Sequence, residues 1–287
     1  MEPALARRLW HGFEAIHCVT YFAPEARKAM DDIGMRGFWM GYFAARAAPL
    51  GAVPPAVVEA IFFNFHPRRV RRALPAAWTI AAPDQLLAHR SAGAAAALER
   101  LLDPDALGGL ADLTDSLLAG AIESAEGAGR PLFAANRALG LPDEPAAKVW
   151  QAVTSLREQR GDGHVALLTA AGLDGCEVHV LAGASSGTPA SLYRESRGWN
   201  DEEWSAAVTA LGQRGLVDGS GSLTPAGEVL HAEIEFRTDA LARQPFERLP
   251  SGAIERLLVR LRDPVRQLTS GGSIPFPNPM GLPPPGA

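Results

Sequence analysis

The chain has 287 residues, 47% of them hydrophobic, with a formal charge of −5; this is ample for one large or two ordinary packed domains, and it makes nucleic-acid binding a matter of local charge distribution. Only Cys18 and Cys176 are present, with no CxxC pair and no Cys/His cluster at zinc spacing, which excludes a disulfide framework and a structural metal. Residues 1–10 lack a signal-peptide core and no eighteen-residue apolar window occurs, so the expectation is a cytoplasmic protein in a reducing compartment with no membrane partner.

Residues 1–183 read as a helical domain, Ala-rich and apolar at three- and four-residue spacing, with Pro/Gly punctuation at 48–55, 74–83, 127–131 and 140–145. His17 falls on an N-terminal helix whose apolar side includes Phe13, Ile16 and Val19, so it reads as core packing first and as a ligand contact second. Asn64-Phe65-His66-Pro67 stands between the aromatic run Ile61-Phe62-Phe63 and the arginines Arg68, Arg69, Arg71 and Arg72. His66 there either faces a pocket with Asn64 or caps the turn before the proline. The arginines either meet an anion or form a solvated helix face.

An internal repeat is predicted, because Phe43-Ala44-Ala45 and Pro55-Ala56 recur ninety residues later as Phe133-Ala134-Ala135 and Pro145-Ala146. Gly34 with Arg36, and Gly129 with Arg130, precede the two copies. Two such units would pack about a pseudo-twofold seam, a natural place for a pocket.

The densest polar cluster runs from Arg157 to His164, between a helix over 145–156 and an apolar run over 165–173. Gly161 and Gly163 around Asp162 predict a tight break in the helix. In the functional reading His164 and Asp162 do acid/base work and Arg160 holds an anionic group. In the structural one Gly161 terminates one helix, Asp162 caps the next and Arg160 forms a salt bridge. Residues 176–181 are the one strand candidate, or else the end of a helix.

Residues 184–270 form the second predicted domain. Asn200-Asp201-Glu202-Glu203 caps a helix with the apolar stripe Trp204, Val208, Leu211 and Leu216, Gly215 closes it, and Asp218-Gly219-Ser220-Gly221 turns a hairpin. Thr224 then caps a helix over 225–242, and another follows over 253–268. This order is that of a winged helix with a two-stranded wing over 217–223. Trp199 and Trp204 are expected to anchor it to its own core, and Glu235 and Asp239 to share a solvated face. Residues 189–244 carry five arginines against nine acids, so DNA binding is expected to be weak or absent, with Arg214 the one well-placed base. The Pro/Gly-rich tail over 271–287 has no periodicity and is expected to be extended, across the body or loose.

No GxSxG, HExxH, P-loop or GxGxxG pattern occurs, so no cofactor is named. His17, His66 and His164 come from three separate segments, and their spacing gives no support to a metal or haem site.

The segment from Arg197-Gly198-Trp199 through Gly227, with Leu-x-x-Arg-Gly-Leu-Val and Leu-Thr-x-x-Gly, resembles the winged helix of MarR-like regulators. The whole chain, including Phe65-His66-Pro67, the Arg157–His164 cluster and Arg237-Thr238-Asp239, resembles a family of actinobacterial helix-turn-helix proteins of uncharacterised function. The resemblance implies a mainly α protein, an N-terminal helical domain with a C-terminal winged helix, that binds a small molecule and regulates transcription in response to it, with a second copy of the chain as a partner. The alternative is an enzyme of specialised metabolism, with His164 and Asp162 as acid and base and the winged helix as a dimerisation or pocket-closing element.

Overall fold

The computed structural model describes residues 3–284; Met1, Glu2 and the last three residues of the expected tail lie outside the described residues. The chain is mainly helical. It opens with α1 (Pro3–His17) and the single turn α2 (Val19–Phe22), followed by α3 (Pro24–Asp32), α4 (Gly37–Ala47), α5 (Pro55–Ile61), α6 (Pro67–Ala73) and α7 (Ala76–Ile80). Then come α8 (Pro83–Leu101), α9 (Pro104–Leu113) and, after a π-helical turn, α10 (Ala119–Ser124), α11 (Pro131–Ala138) and α12 (Pro145–Ala170). The C-terminal part holds α13 (Glu177–Ser186), α14 (Ala190–Arg197), α15 (Asp201–Gln213), α16 (Pro225–Ala242) and α17 (Ala253–Ser270).

Local chemistry sets most helix starts. Proline stands at the first position of α3, α5, α6, α8, α9, α11, α12 and α16, where its missing N–H costs nothing and its fixed φ suits the helix. Side chains satisfy other first-turn donors: Glu144 accepts from Ala146 and Ala147, and Asn200 and Glu203 form a reciprocal capping box. Gly34 and Gly129 adopt left-handed φ of 84° and 70° shortly before Arg36 and Arg130, the residues that precede α4 and α11. Beyond that the two repeat copies diverge, since α5 has 7 residues and α12 has 26.

Three hydrophobic clusters hold the helices together. Leu9, Phe13 and Ile16 of α1 pack with Leu98 of α8, Trp150 of α12 and Leu257 and Leu268 of α17. Phe43, Phe62, Phe65, Leu74 and Leu86 form a second core, joined by Leu132 of α11. Leu167, Leu168, Leu181, Leu211, Leu216 and Ile234 form the third, under α13, α15 and α16. The tail lies across the body: Ile274 and Leu282 are buried in the first cluster, and buried Asn278 both donates to and accepts from Leu282.

Helix α12 overturns the expected break. Its 26 residues run unbroken for about 39 Å, with Gly161 and Gly163 in its interior and neither at positive φ. Two interior glycines cost about 2 kcal/mol relative to alanine, which burial of the helix on α1, α8, α11 and α16 offsets. Asp162 is therefore no N-cap of a following helix. Residues 176–181 are helical as well, because the Asp174 carboxylate accepts from the N–H groups of Cys176 and Glu177, each at 2.8 Å, and so caps α13.

The two-stranded wing shrinks to one antiparallel bridge, Val217 with Leu223. Asp218 Oδ1 accepts from the N–H groups of Ser220 (2.8 Å) and Ser222 (3.1 Å), which holds the intervening residues in a tight turn. On the other side α16 lies directly on the backbone: a Cβ on Gly227 would collide with the Leu216 carbonyl, so the chain must turn into the helix at once.

Candidate functional site

Helix α12 presents its polar cluster to a cavity of about 580 Å³, partly open to solvent, between α1, the α4–α6 region, α13, α14, α16 and the tail. Trp10, Tyr21, Trp39, Tyr42, Phe62 and Phe65 supply aromatic surface, and Arg160, Asp162 and His164 line one side. Asn64 lies on the same cavity, though its hydrogen bonding runs through its backbone carbonyl, which accepts from Trp199 Nε1 and His179 Nε2, each at 3.2 Å.

The charges on this wall are buried and mostly paired. Glu158, 1% exposed, takes two bonds of 3.1 Å from Arg46 and one of 3.0 Å from Arg157, whose Nε donates to Glu14 at 3.0 Å. Burial alone would raise the Glu158 carboxyl; Arg157 and Arg46 outweigh it and hold the group well below the usual carboxylate range. Burial likewise opposes the charge on Arg46 and Arg157, and the carboxylates of Glu158 and Glu14 more than restore it. Arg160 lies 4.3 Å over the Trp10 ring and donates to Asp239 at 3.1 Å and Glu235 at 3.5 Å; Arg7 reaches the same two acids. The face of α16 bearing Glu235 and Asp239 is thus turned inward onto α1 and α12, not solvated, because two guanidiniums from elsewhere in the chain require it.

Three buried polar atoms around the cavity remain unmatched among the described residues. Glu14 Oε1, Arg160 Nε and Arg197 Nε have no hydrogen-bond partner among the described residues, although the three residues are 1%, 8% and 8% exposed. An unpaired buried polar group of this kind costs about 1–3 kcal/mol.

His164 has a defined tautomer. Thr238 Oγ1 donates to the Ile234 carbonyl at 2.7 Å, so in its 2.9 Å contact with His164 Nδ1 it accepts, and Nδ1 carries the proton. Nε2, with no partner among the described residues, is then a free acceptor. Burial pushes this imidazole down to about 4, Glu235 opposing, so it is neutral at pH 7. Asp162 accepts from the Phe133 N–H at 2.9 Å and so caps the first turn of α11, in trans to its own helix. Burial raises its carboxyl to about 6, against that hydrogen bond.

Arg160, Asp162, His164 and Asn64 therefore share one cavity, and the other singled-out residues lie elsewhere. His17 is buried beside it, with Nδ1 2.8 Å from Thr154 Oγ1, Nε2 2.8 Å from Tyr21 Oη and its ring stacked on Trp150. Burial holds its pKa well below the ordinary value. His66 caps α6, accepting from the Arg68 N–H at 3.0 Å, and its Nε2 lies 2.8 Å from Glu203. Glu14, Arg46, Arg197 and His179 were not singled out from the sequence. Glu14 alone left a trace there, a carboxylate on the helix side that carries Trp10 and His17.

Across the cavity, α14, the turn through Gly198 and α15 form two short helices in succession, closed by the hairpin and α16. A family model described as a helix-turn-helix family matches residues 6–275. The chain belongs to that family. No curated protein and no solved structure is significantly similar to it.

The α14–α15 pair is fastened to the N-terminal helices through the start of α15. Glu203 binds His66 and Arg68, and Trp199 packs on the His66 ring as well as in the third core, while Asp201 pairs with Arg194 between α15 and α14. Trp199 therefore joins the unit to the N-terminal helices, beyond the expected anchoring to its own core. Arg214, singled out for DNA, donates to the carbonyls of Ala171 and Gly172, each at 2.9 Å, and so closes the C-terminus of α12. No helix among the described residues is long and apolar enough to cross a membrane.

Proposed function

We propose that this protein binds an amphipathic aromatic small molecule in the α12 cavity and that the helix-turn-helix unit serves as one wall of that cavity. The observation that carries this reading is the set of unmatched, nine-tenths-buried polar atoms of Glu14, Arg160 and Arg197 around aromatic walls. A ligand donor would meet Glu14, and ligand acceptors would meet the two guanidiniums. The volume of about 580 Å³ lies in the range of small-molecule sites.

The MarR-like resemblance extends in this reading to the succession of helices and hairpin, with α15 turned to packing. Its exposed face offers Asp201, Glu202, Ser205, Thr209 and Gln213, and each of the five arginines over 189–244 is engaged within the protein. With these arginines engaged, residues 189–244 offer few phosphate contacts of their own.

A second reading, acid/base catalysis, is favoured by one observation: His164 is neutral, its Nδ1 proton is fixed by Thr238, and its Nε2 is left as the base. Native mass spectrometry of protein purified from its own host tests the first reading. The expected result is a retained molecule of a few hundred daltons, lost from His164→Gln with the melting temperature unchanged. A ligand-free protein that no phenol or aromatic carboxylate stabilises in thermal shift would overturn it.

A further inference from the structure

Beside α6 lies a second concave feature, a groove of about 630 Å³ between α4, α6 and the α14–α15 turn, which meets the α12 cavity at Trp39. Its floor is apolar, formed by Trp39, Met40, Ala73 and Trp199, and its rim carries Arg36, Arg68, Arg69, Arg72 and Arg194 against Glu195 and Asp201. Two of these cations are neutralised locally: Arg68 pairs with Glu203 and Arg194 with Asp201. The remaining three are not. Arg69 makes no ion pair among the described residues; its guanidinium lies 4.3 Å over the Trp39 ring, and its buried Nη1 has no hydrogen-bond partner among them. Arg36 and Arg72 likewise form no ion pair among the described residues, and Arg72 stands near enough to Arg69 for their charges to repel. With five arginines against Glu195 and Asp201, the groove carries an excess of positive charge that an anion would meet.

We propose that this groove is an anion-binding site for a phosphate monoester with an apolar or aromatic body, distinct from the α12 cavity. Guanidiniums present paired N–H donors that match phosphate oxygens, and a phosphate dianion meets more of the excess charge than a carboxylate does. The apolar floor would take the ester group. Because the arginines come from the start of α4, from α6 and from α14, the ligand would tie the helix-turn-helix unit to the N-terminal helices at the joint already made by Glu203, His66 and Arg68.

Titration calorimetry on the full chain with phenyl phosphate, inorganic phosphate and phenol tests this. Phenyl phosphate should bind, inorganic phosphate at least fivefold more weakly, and any heat from phenol, which the α12 cavity would take, should be the same in the parent and in Arg72→Gln. Arg72→Gln, an exposed change that leaves packing intact, should weaken phenyl phosphate at least fivefold with an unchanged melting temperature. Arg69→Gln should weaken it further, and Arg262→Gln on the distant α17 should leave it unaltered. Equal affinity in the Arg72 variant and the parent, or no binding of phenyl phosphate, overturns the proposal. So does displacement of phenyl phosphate by a 20-base-pair DNA duplex that binds more tightly, which would assign the arginines to a nucleic-acid backbone.

Discussion

Substituting alanine at each of the two glycines inside α12 should change stability unequally, with Gly161→Ala the more stable variant. At Gly161 an added Cβ would meet only Glu158 Oε2, at 3.5 Å, an ordinary contact. The variant Gly161→Ala therefore gains the helix-propensity difference of about 0.5–1 kcal/mol, a rise of roughly 1–3 °C in melting temperature for a chain of this size. At Gly163 the Cβ would stand 2.5 Å from Arg130 Nη1, which donates to the Gln159 carbonyl at 2.8 Å. The guanidinium must move and that bond is lost, at about 0.5–1.5 kcal/mol. Gly163→Ala thus ends between about 0.5 kcal/mol stabilised and about 1 kcal/mol destabilised, always below Gly161→Ala by the lost bond. Urea unfolding followed by tryptophan fluorescence separates the two variants. The methyl at 161 also projects toward the cavity, so ligand affinity should fall in the variant that is more stable. A Gly161→Ala protein destabilised by more than about 1 kcal/mol would show that the chain breaks there after all, and would refute the continuous α12.

Arg214→Ala should lose the closure of α12 at Ala171 and Gly172 and lower stability by about 1–2 kcal/mol in the same unfolding assay. Anisotropy with genomic DNA fragments at physiological salt should show no tight binding before or after the change; tight binding abolished by Arg214→Ala would return α15 to a DNA-reading role. The Asp162 carboxyl is raised to about 6 in the folded protein, from about 3.9 in an unfolded chain. Its contribution to stability is accordingly full below about pH 4 and is lost as the pH rises through 6. Asp162→Asn keeps an acceptor for the Phe133 N–H, so it should exceed the parent by about 1–3 kcal/mol at pH 8 and lose that advantage at pH 4. A parent more stable than the variant at pH 8 contradicts the raised carboxyl.

The sequence by itself determined what depends on neighbours along the chain. Helix starts at proline, the capping box of Asn200 and Glu203, the Thr224 cap of α16 and the turn at Asp218 are all settled within a few residues, and their patterns are legible before any fold is known. The same locality misled at α12, where Gly161-Asp162-Gly163 has the composition of a helix break. What fills the space around those residues comes from far away: Arg130 occupies the room beside Gly163, and the backbone of Phe133 takes the Asp162 carboxylate. The cavity was legible only in part, as a cluster of Arg160, Asp162 and His164 without a counterpart. Its other walls lie on α1, α4 and α16, and Glu235 and Asp239 turn inward only because Arg7, 228 and 232 residues earlier, meets them there. Spacing on one helix fixes which side chains share a face. Whether that face meets water, a guanidinium or an enclosed cavity is decided by the packing of distant helices, because burial and ion pairing depend on separation in space and not on separation along the chain.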